Sequence, residues 1–195
     1  MSADKDGYQE RERRFRQLYD EHYRSIQAYA VRRVDTPDDV ADVVAEVFTT
    51  AWRRLDDIPP PPADRVWLYG TARRALAGHY RGARRRSRLI SRMQGSYAGS
   101  PQTAEFMPGF SDDRLISALR QLPEDERETL MLVYWEQLSH AEAAQVLGCS
   151  ANAVAIRTHR AKGRLREALA SAAPRAPGSR GAPAGTTVSF KTHGS

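Results

Sequence analysis

Residues 138–166, LSHAEAAQVLGCSANAVAIRTHRAKGRLR, decide the fold. Ser139 is a helix-capping residue, and Glu142, three positions on, has the reach to bond back to the cap's own amide. Ala143 and Ala144 leave room for a second helix to cross closely, with Leu147 as the apolar anchor between them. Gly148 supplies the left-handed backbone that ends the first helix. Ser150 then caps a second helix that carries Val154, Ala161 and Leu165 inward. Asn152, Arg157, His159, Arg160, Lys162, Arg164 and Arg166 face outward. Such a helix-turn-helix lays the front of its second helix in the DNA major groove, with cations behind it on phosphate. The alternative is a helical hairpin in some larger core; the Gly-x-Ser turn and the basic second helix favour DNA.

Working outward, residues 123–126 (PEDE) start a preceding helix carrying Leu130, Val133 and Tyr134, and Asp112 to Gln121 opens the same unit. Upstream, residues 93–111 lose periodicity and fill with Gly, Ser, Pro and Gln, the composition of a linker between two independently folded helical units. The first unit spans 10–92. Phe15, Leu18, Tyr19, Ile26, Ala30 and Val34 recur at helical spacing. Thr36-Pro37-Asp38-Asp39 is a helix start, with a capping Thr, Pro in the first turn and acids at the positive end of the dipole. Val40, Val43, Val44, Val47, Phe48, Ala51 and Leu55 form one apolar stripe. Asp56 to Asp64 holds four consecutive prolines and reads as a stiff loop. Asp64 is placed to cap the next helix, in which Trp67, Leu68, Thr71, Ala72, Ala75 and Leu76 point inward. Residues 1–9 and the basic, Pro- and Gly-rich segment 173–195 are expected to be disordered. The chain is read as all-α, two small helical domains joined by a flexible linker.

The net charge of +6 over 195 residues points to an acidic partner, and its segregation says more than the sum. Acids gather between Asp35 and Asp57, whereas Thr71 to Arg92 holds eight arginines and no acid. Asp39, Asp42 and Glu46 line one edge of their helix beside the apolar stripe. The dipole accounts for the acids of the first turn but not for Glu46, so the edge reads either as a solvated face or as a docking surface for a basic protein. Arg74, Arg81, Arg85 and Arg88 fall near one face of the following helix, with Tyr69, His79 and Tyr80 close by. Cations that track phosphates and aromatics that stack on bases make a surface for single-stranded nucleic acid; the alternative is an exposed charge run over core aromatics.

Catalytic readings lack candidates. The five His show no metal-ligand spacing, and the single cysteine, Cys149, excludes an internal disulfide and a zinc site built on thiolates. Cys149 sits in the interhelical turn, where a small buried apolar residue is expected. No glycine-rich phosphate loop occurs, and the adjacent Asp56 and Asp57 point apart. No cofactor and no metal are expected. No apolar run approaches the roughly 20 residues that cross a bilayer, and no apolar signal core follows the charged N-terminus, so a cytoplasmic chain without membrane insertion is expected.

With both units in view, the chain resembles sigma factors of the sigma-70 family, in particular the extracytoplasmic-function (ECF) group. DDVADVVAEVFTTAW (38–52) is similar to the segment that docks on RNA polymerase, WLYGTARRALAGHYRGARRR (67–86) to the segment that opens and reads the −10 element, and residues 122–167 to the domain that reads the −35 element. The resemblance implies a region 2-like bundle and a region 4-like helix-turn-helix domain. It implies polymerase contacts at Asp39, Asp42, Glu46 and Phe48. It implies single-stranded −10 contacts from Trp67, Arg73, Arg74, His79, Tyr80, Arg81, Arg84 and Arg85, with the Asp56–Asp64 loop walling a base pocket. Duplex −35 contacts are expected from Ser150, Asn152, Ala155, Ile156 and His159, with Arg157, Arg160 and Lys162 mainly on phosphate. Core RNA polymerase, promoter DNA and an anti-sigma factor are the expected partners. Ala45 stands where the family usually has Gln, Arg74 where it commonly has Asn and Gly78 where it commonly has Asp. Two other readings remain: a free-standing helix-turn-helix regulator, and an enzyme acting on nucleic acid.

Overall fold

A computed structural model describes residues 2–94 and 113–171, with side chains over 5–85 and 114–171. Among these the regular structure is entirely helical: α1 (Ser2–Val31), α2 (Pro37–Arg53), a short 3-10 turn (Leu55–Asp57), α3 (Ala63–Gln94), α4 (Asp113–Arg120), α5 (Glu124–Tyr134), α6 (His140–Leu147) and α7 (Ala151–Ser171). The expected linker and basic tail fall largely outside the described residues.

Local signals place most boundaries. The Thr36 side chain accepts the Asp39 amide at 3.1 Å, and Pro37 occupies the first turn of α2. The α2 stripe is fully realised: Val40, Val43, Val44, Val47, Phe48 and Ala51 are buried, and Leu55 follows from the 3-10 turn. Three expectations are corrected. Residues 2–9, expected to be disordered, are the opening turns of α1, where Tyr8 packs edge-on against Trp52 with ring centroids 6.2 Å apart. Asp64 lies inside the first turn of α3 rather than before it, buried against His22 at 3.1 Å. In the helix-turn-helix, Val146 is buried where Leu147 was expected, and Leu147 and Cys149 are half-buried.

The two helical units do not stand apart. One apolar cluster runs from Leu18, Ile26 and Tyr29 of α1 through α2 and α3 to Leu132, Leu138, Ala143, Ala144 and Val146 of α5 and α6. Here α6 lies along α3, and α7 packs on both α5 and α6. A smaller cluster of Leu119, Leu122, Leu130 and Ala161 seals α4, α5 and α7 together.

Candidate nucleic-acid interface

In the helix-turn-helix, Ser139 Oγ accepts the Glu142 amide at 3.2 Å, and the Glu142 carboxylate accepts the Ser139 amide at 2.8 Å. Gly148 closes α6 with φ 68° and ψ 39°, its amide donating to the Ala144 carbonyl. Ser150 Oγ accepts the Ala153 amide at 3.1 Å, which caps α7, and the exposed hydroxyl keeps its own proton to donate. Val154 and Ala161 are wholly buried. This fixes which face α7 offers: Asn152, Ile156, His159 and Arg160 are exposed, Ile156 at 44% for a large apolar residue, and Ala155 is half-buried beside them.

Two residues expected on phosphate have partners within the chain. The Arg157 guanidinium faces back toward α5, 3.7 Å from Asp125, and donates to Cys149 Sγ at 3.8 Å. Lys162 Nζ lies 5.5 Å from the Tyr134 ring centroid, a cation–π distance. Behind them Arg164 holds Glu126 at 2.7 Å. Of the three cations assigned to phosphate, Arg160 alone stays exposed.

On α3 the outer face carries Arg73, Arg74, Arg81, Arg84 and Arg85, all exposed. Trp67 is half-buried beneath Arg54, whose guanidinium carbon is 5.9 Å from the ring centroid. The aromatics sort differently from expectation. Tyr69 is 2% exposed, with its ring 5.4 Å from Tyr29, and is not available for stacking. His79 turns to α2, its Nε2 3.3 Å from Asp39, away from the arginine face. Tyr80 remains partly exposed while its hydroxyl donates to the Arg33 carbonyl.

The acidic edge survives on α2, where Asp42 and Glu46 are exposed. With Gly78, His79 and Gly82 they line a cleft of about 390 Å³ between α2 and α3. Phe48, which belongs to the apolar stripe and which the resemblance also assigns to the polymerase contact, is 5% exposed, packed among Tyr19, Tyr23 and Phe15 of α1 at ring distances of 4.7, 6.3 and 6.4 Å. It supports α2 from beneath.

The loop after α2 is braced from a direction the sequence did not reveal. Arg11 donates to the Trp52 carbonyl at 2.8 Å and pairs with Asp56 at 2.6 Å, while Arg14 donates to the Ile58 carbonyl at 2.7 Å. Ile58 is buried, which leaves Pro60, Pro61 and Pro62 exposed at the tip. His22, Asp64 and the exposed Glu21 also bring their ligand atoms within 4.8 Å of one another, a grouping absent from any sequence spacing. His22 and Asp64 are each other's buried hydrogen-bond partner.

Comparison with known proteins accords with this geometry. The family model for Sigma-70 region 2 matches residues 18–86, and that for Sigma-70 region 4 matches residues 112–165. The chain is 30% identical over 149 residues to the ECF RNA polymerase sigma factor EcfG of Rhodopseudomonas palustris, covering 74% of this chain and 79% of the relative. It is 33% identical over 168 residues to the RNA polymerase sigma factor CnrH of Cupriavidus metallidurans, covering 81% and 87%. Among solved structures, the sigma factor RpoE of Bartonella quintana, crystallised with the anti-sigma factor NepR, superposes with a TM-score of 0.61 at 25% identity over 80% of this chain and 96% of that one. The chain belongs to the ECF group of sigma-70 family RNA polymerase sigma factors, which recruit core polymerase to promoters for transcription initiation.

Proposed function

We propose a division of labour among named surfaces. The α2 edge, through Asp42 and Glu46 with Asp39 beside them, grips core polymerase. The outer face of α3 holds the opened −10 strand through Arg73, Arg74, Arg81, Arg84 and Arg85, with Tyr80 and Trp67 as flanking rings. The front of α7 reads −35 duplex through Asn152, Ala155, Ile156 and His159, with Arg160 on phosphate. The observation that carries this reading is the segregation of charge between neighbouring helices: exposed carboxylates, Asp42 and Glu46, on α2 and the exposed guanidiniums of Arg73, Arg74, Arg81, Arg84 and Arg85 on α3.

The energetics fit an initiation factor that performs no covalent chemistry. Extruding a base from duplex costs a few kcal/mol. Stacking on an aromatic returns roughly 1–3 kcal/mol per base, and phosphate contacts add the counterion term. The factor therefore stabilises an opened strand and leaves bond formation to the polymerase. Its working compartment is the cytoplasm, where the polymerase is; no described helix is long and apolar enough to cross a membrane. An anti-sigma factor is proposed as a further partner, by analogy with the RpoE–NepR complex.

The test is run-off transcription with purified core polymerase on a promoter library. Start sites sharing −10 and −35 sequences are expected with the wild-type chain. Charge reversal at Asp42 and Glu46 should weaken polymerase binding and leave affinity for a −35 duplex unchanged. Loss of both together would contradict the assigned roles.

A further inference from the structure

Beside the apolar cluster that crosses it, the contact between the two units carries a buried group of charges. Arg32 and Arg33 follow the C-terminal end of α1, and Glu128 and Glu136 come from α5 and the turn after it. Arg32 grips Glu136 through both carboxylate oxygens at 2.7 and 2.9 Å. Arg33 reaches Glu128 at 2.9 Å and Glu136 at 3.2 Å, with its guanidinium 3.6 Å from the Tyr29 ring centroid. Tyr29 donates its hydroxyl to Glu128 at 3.0 Å. The Glu136 side chain is 2% exposed and that of Arg33 7%. Burial opposes the Arg33 charge, but Glu128, Tyr29 and Glu136 together outweigh it and hold the guanidinium more firmly protonated than usual.

Two cations and two anions buried together differ from an apolar seam. Their mutual attraction is set against the hydration each ion regains when the surfaces part, so such clusters lie near balance. This one is incompletely satisfied: Arg32 Nε and Arg33 Nη2 are buried with no hydrogen-bond partner. Separation returns water to both atoms.

Closure also conflicts with reading a promoter. Elements centred at −35 and −10 lie about 25 base pairs apart, roughly 85 Å of duplex at about 3.4 Å per pair. In the closed chain α7 packs on α6 and α6 on α3, so the reading helices stand two packing distances apart, about 20 Å between axes. Even the whole of α3, 32 residues, is only about 48 Å long.

We propose that Tyr29, Arg32 and Arg33 with Glu128 and Glu136 form a latch that holds the free factor closed, and that it must open before both promoter elements can be engaged. This rests on the two-element reading above and adds its regulation. Small-angle X-ray scattering of the full chain, without DNA or polymerase, tests the latch itself. The wild type should be compact at low salt. The double variant Glu128→Gln/Glu136→Gln should be expanded at low salt with unchanged helix content. It should also raise initiation at limiting core polymerase by about fivefold or more. The charge swap Arg33→Glu/Glu128→Arg should restore much of the compaction. A double variant that keeps the wild-type radius overturns the proposal, as does one that expands without any gain in initiation. Should the double variant lose helix content, Arg33→Lys, which keeps the charge but loses the fork, must be intermediate in radius; a wild-type radius there overturns the proposal equally. The scattering arm needs no polymerase. Wild-type chain that selects no start site therefore sinks the promoter reading and leaves the latch to be judged on the radius.

Discussion

Ser139 and Glu142 satisfy each other reciprocally: the hydroxyl of the first accepts the amide of the second at 3.2 Å, and the carboxylate of the second accepts the amide of the first at 2.8 Å. Two amides at the start of α6 that have no intrahelical partner are thereby paired. The Ser139 hydroxyl and amide, with Arg65 adding to them, hold the Glu142 carboxyl below the ordinary glutamate range. Ser139→Ala is expected to cost about 1 kcal/mol in urea unfolding at neutral pH. The pH dependence has a definite sign. A carboxyl lowered in the folded state stabilises fully above its unfolded value, about 4.3, and that contribution is lost as pH falls through the lowered folded value. Glu142→Gln should flatten this acid limb; a wild-type acid limb in the Gln variant would remove Glu142 as its source.

What the sequence revealed about α6 and α7 it revealed because every signal lies within a few residues of its partner: Ser139 with Glu142, Thr36 with Asp39, Gly148 at the end of its own helix. The α2 stripe was legible for the same reason, since helical periodicity alone selects the buried face. What stayed hidden is set by partners far along the chain. Arg14 reaches a carbonyl 44 residues away, and Arg32 a carboxylate 104 residues away. Neither has a local pattern that distinguishes it from a solvated arginine. His79 and Tyr69 were placed on the right helix but not on the right face, because α2 lies against one side of α3 and α6 against another. The burial of Phe48 follows from the stripe, but the α1 aromatics that meet it lie too far along the chain to be read from its neighbours.

Gly148 and Gly78 should respond in opposite directions to alanine. Gly148 has φ 68°, and an added Cβ would meet nothing within 4 Å, so the penalty is backbone strain alone. Gly148→Ala is expected to cost about 1–2 kcal/mol. Gly78 lies within α3, where a Cβ would sit 3.9 Å from the Arg81 guanidinium, ordinary contact. Gly78→Ala should therefore stabilise by about 0.5–1 kcal/mol. Thermal unfolding of the two variants beside the wild type checks both signs at once.

His22 and Asp64 are 6% and 4% exposed, and their 3.1 Å contact joins α1 to α3. Removing either leaves a buried polar group without its partner. His22→Leu is thus expected to cost at least about 1–3 kcal/mol, with Asp64→Ala similar and the double variant well short of the sum. A pair that is structural in itself predicts that the melting temperature is the same with a chelator or with added zinc, since only a bound ligand shifts it by mass action. A zinc-dependent rise lost in the Glu21→Ala variant would make the grouping a metal site instead.

Arg157 and Arg160 are three residues apart on α7 and should separate stability from DNA affinity. Arg160 is exposed on the reading face, so Arg160→Ala should lower the slope of log affinity against log salt by about 0.9 for a −35 duplex and leave folding nearly unchanged. Arg157 lies 3.7 Å from Asp125 and is half-buried against the Cys149 sulfur. Its loss should fall mainly on the packing of α7 against α5, while the salt slope stays close to that of the wild type. Fluorescence anisotropy with the full chain over a range of salt, with unfolding curves for each variant, distinguishes the two. A full phosphate-contact loss in Arg157→Ala without any loss of stability would show that the guanidinium leaves Asp125 for the DNA backbone when duplex is bound.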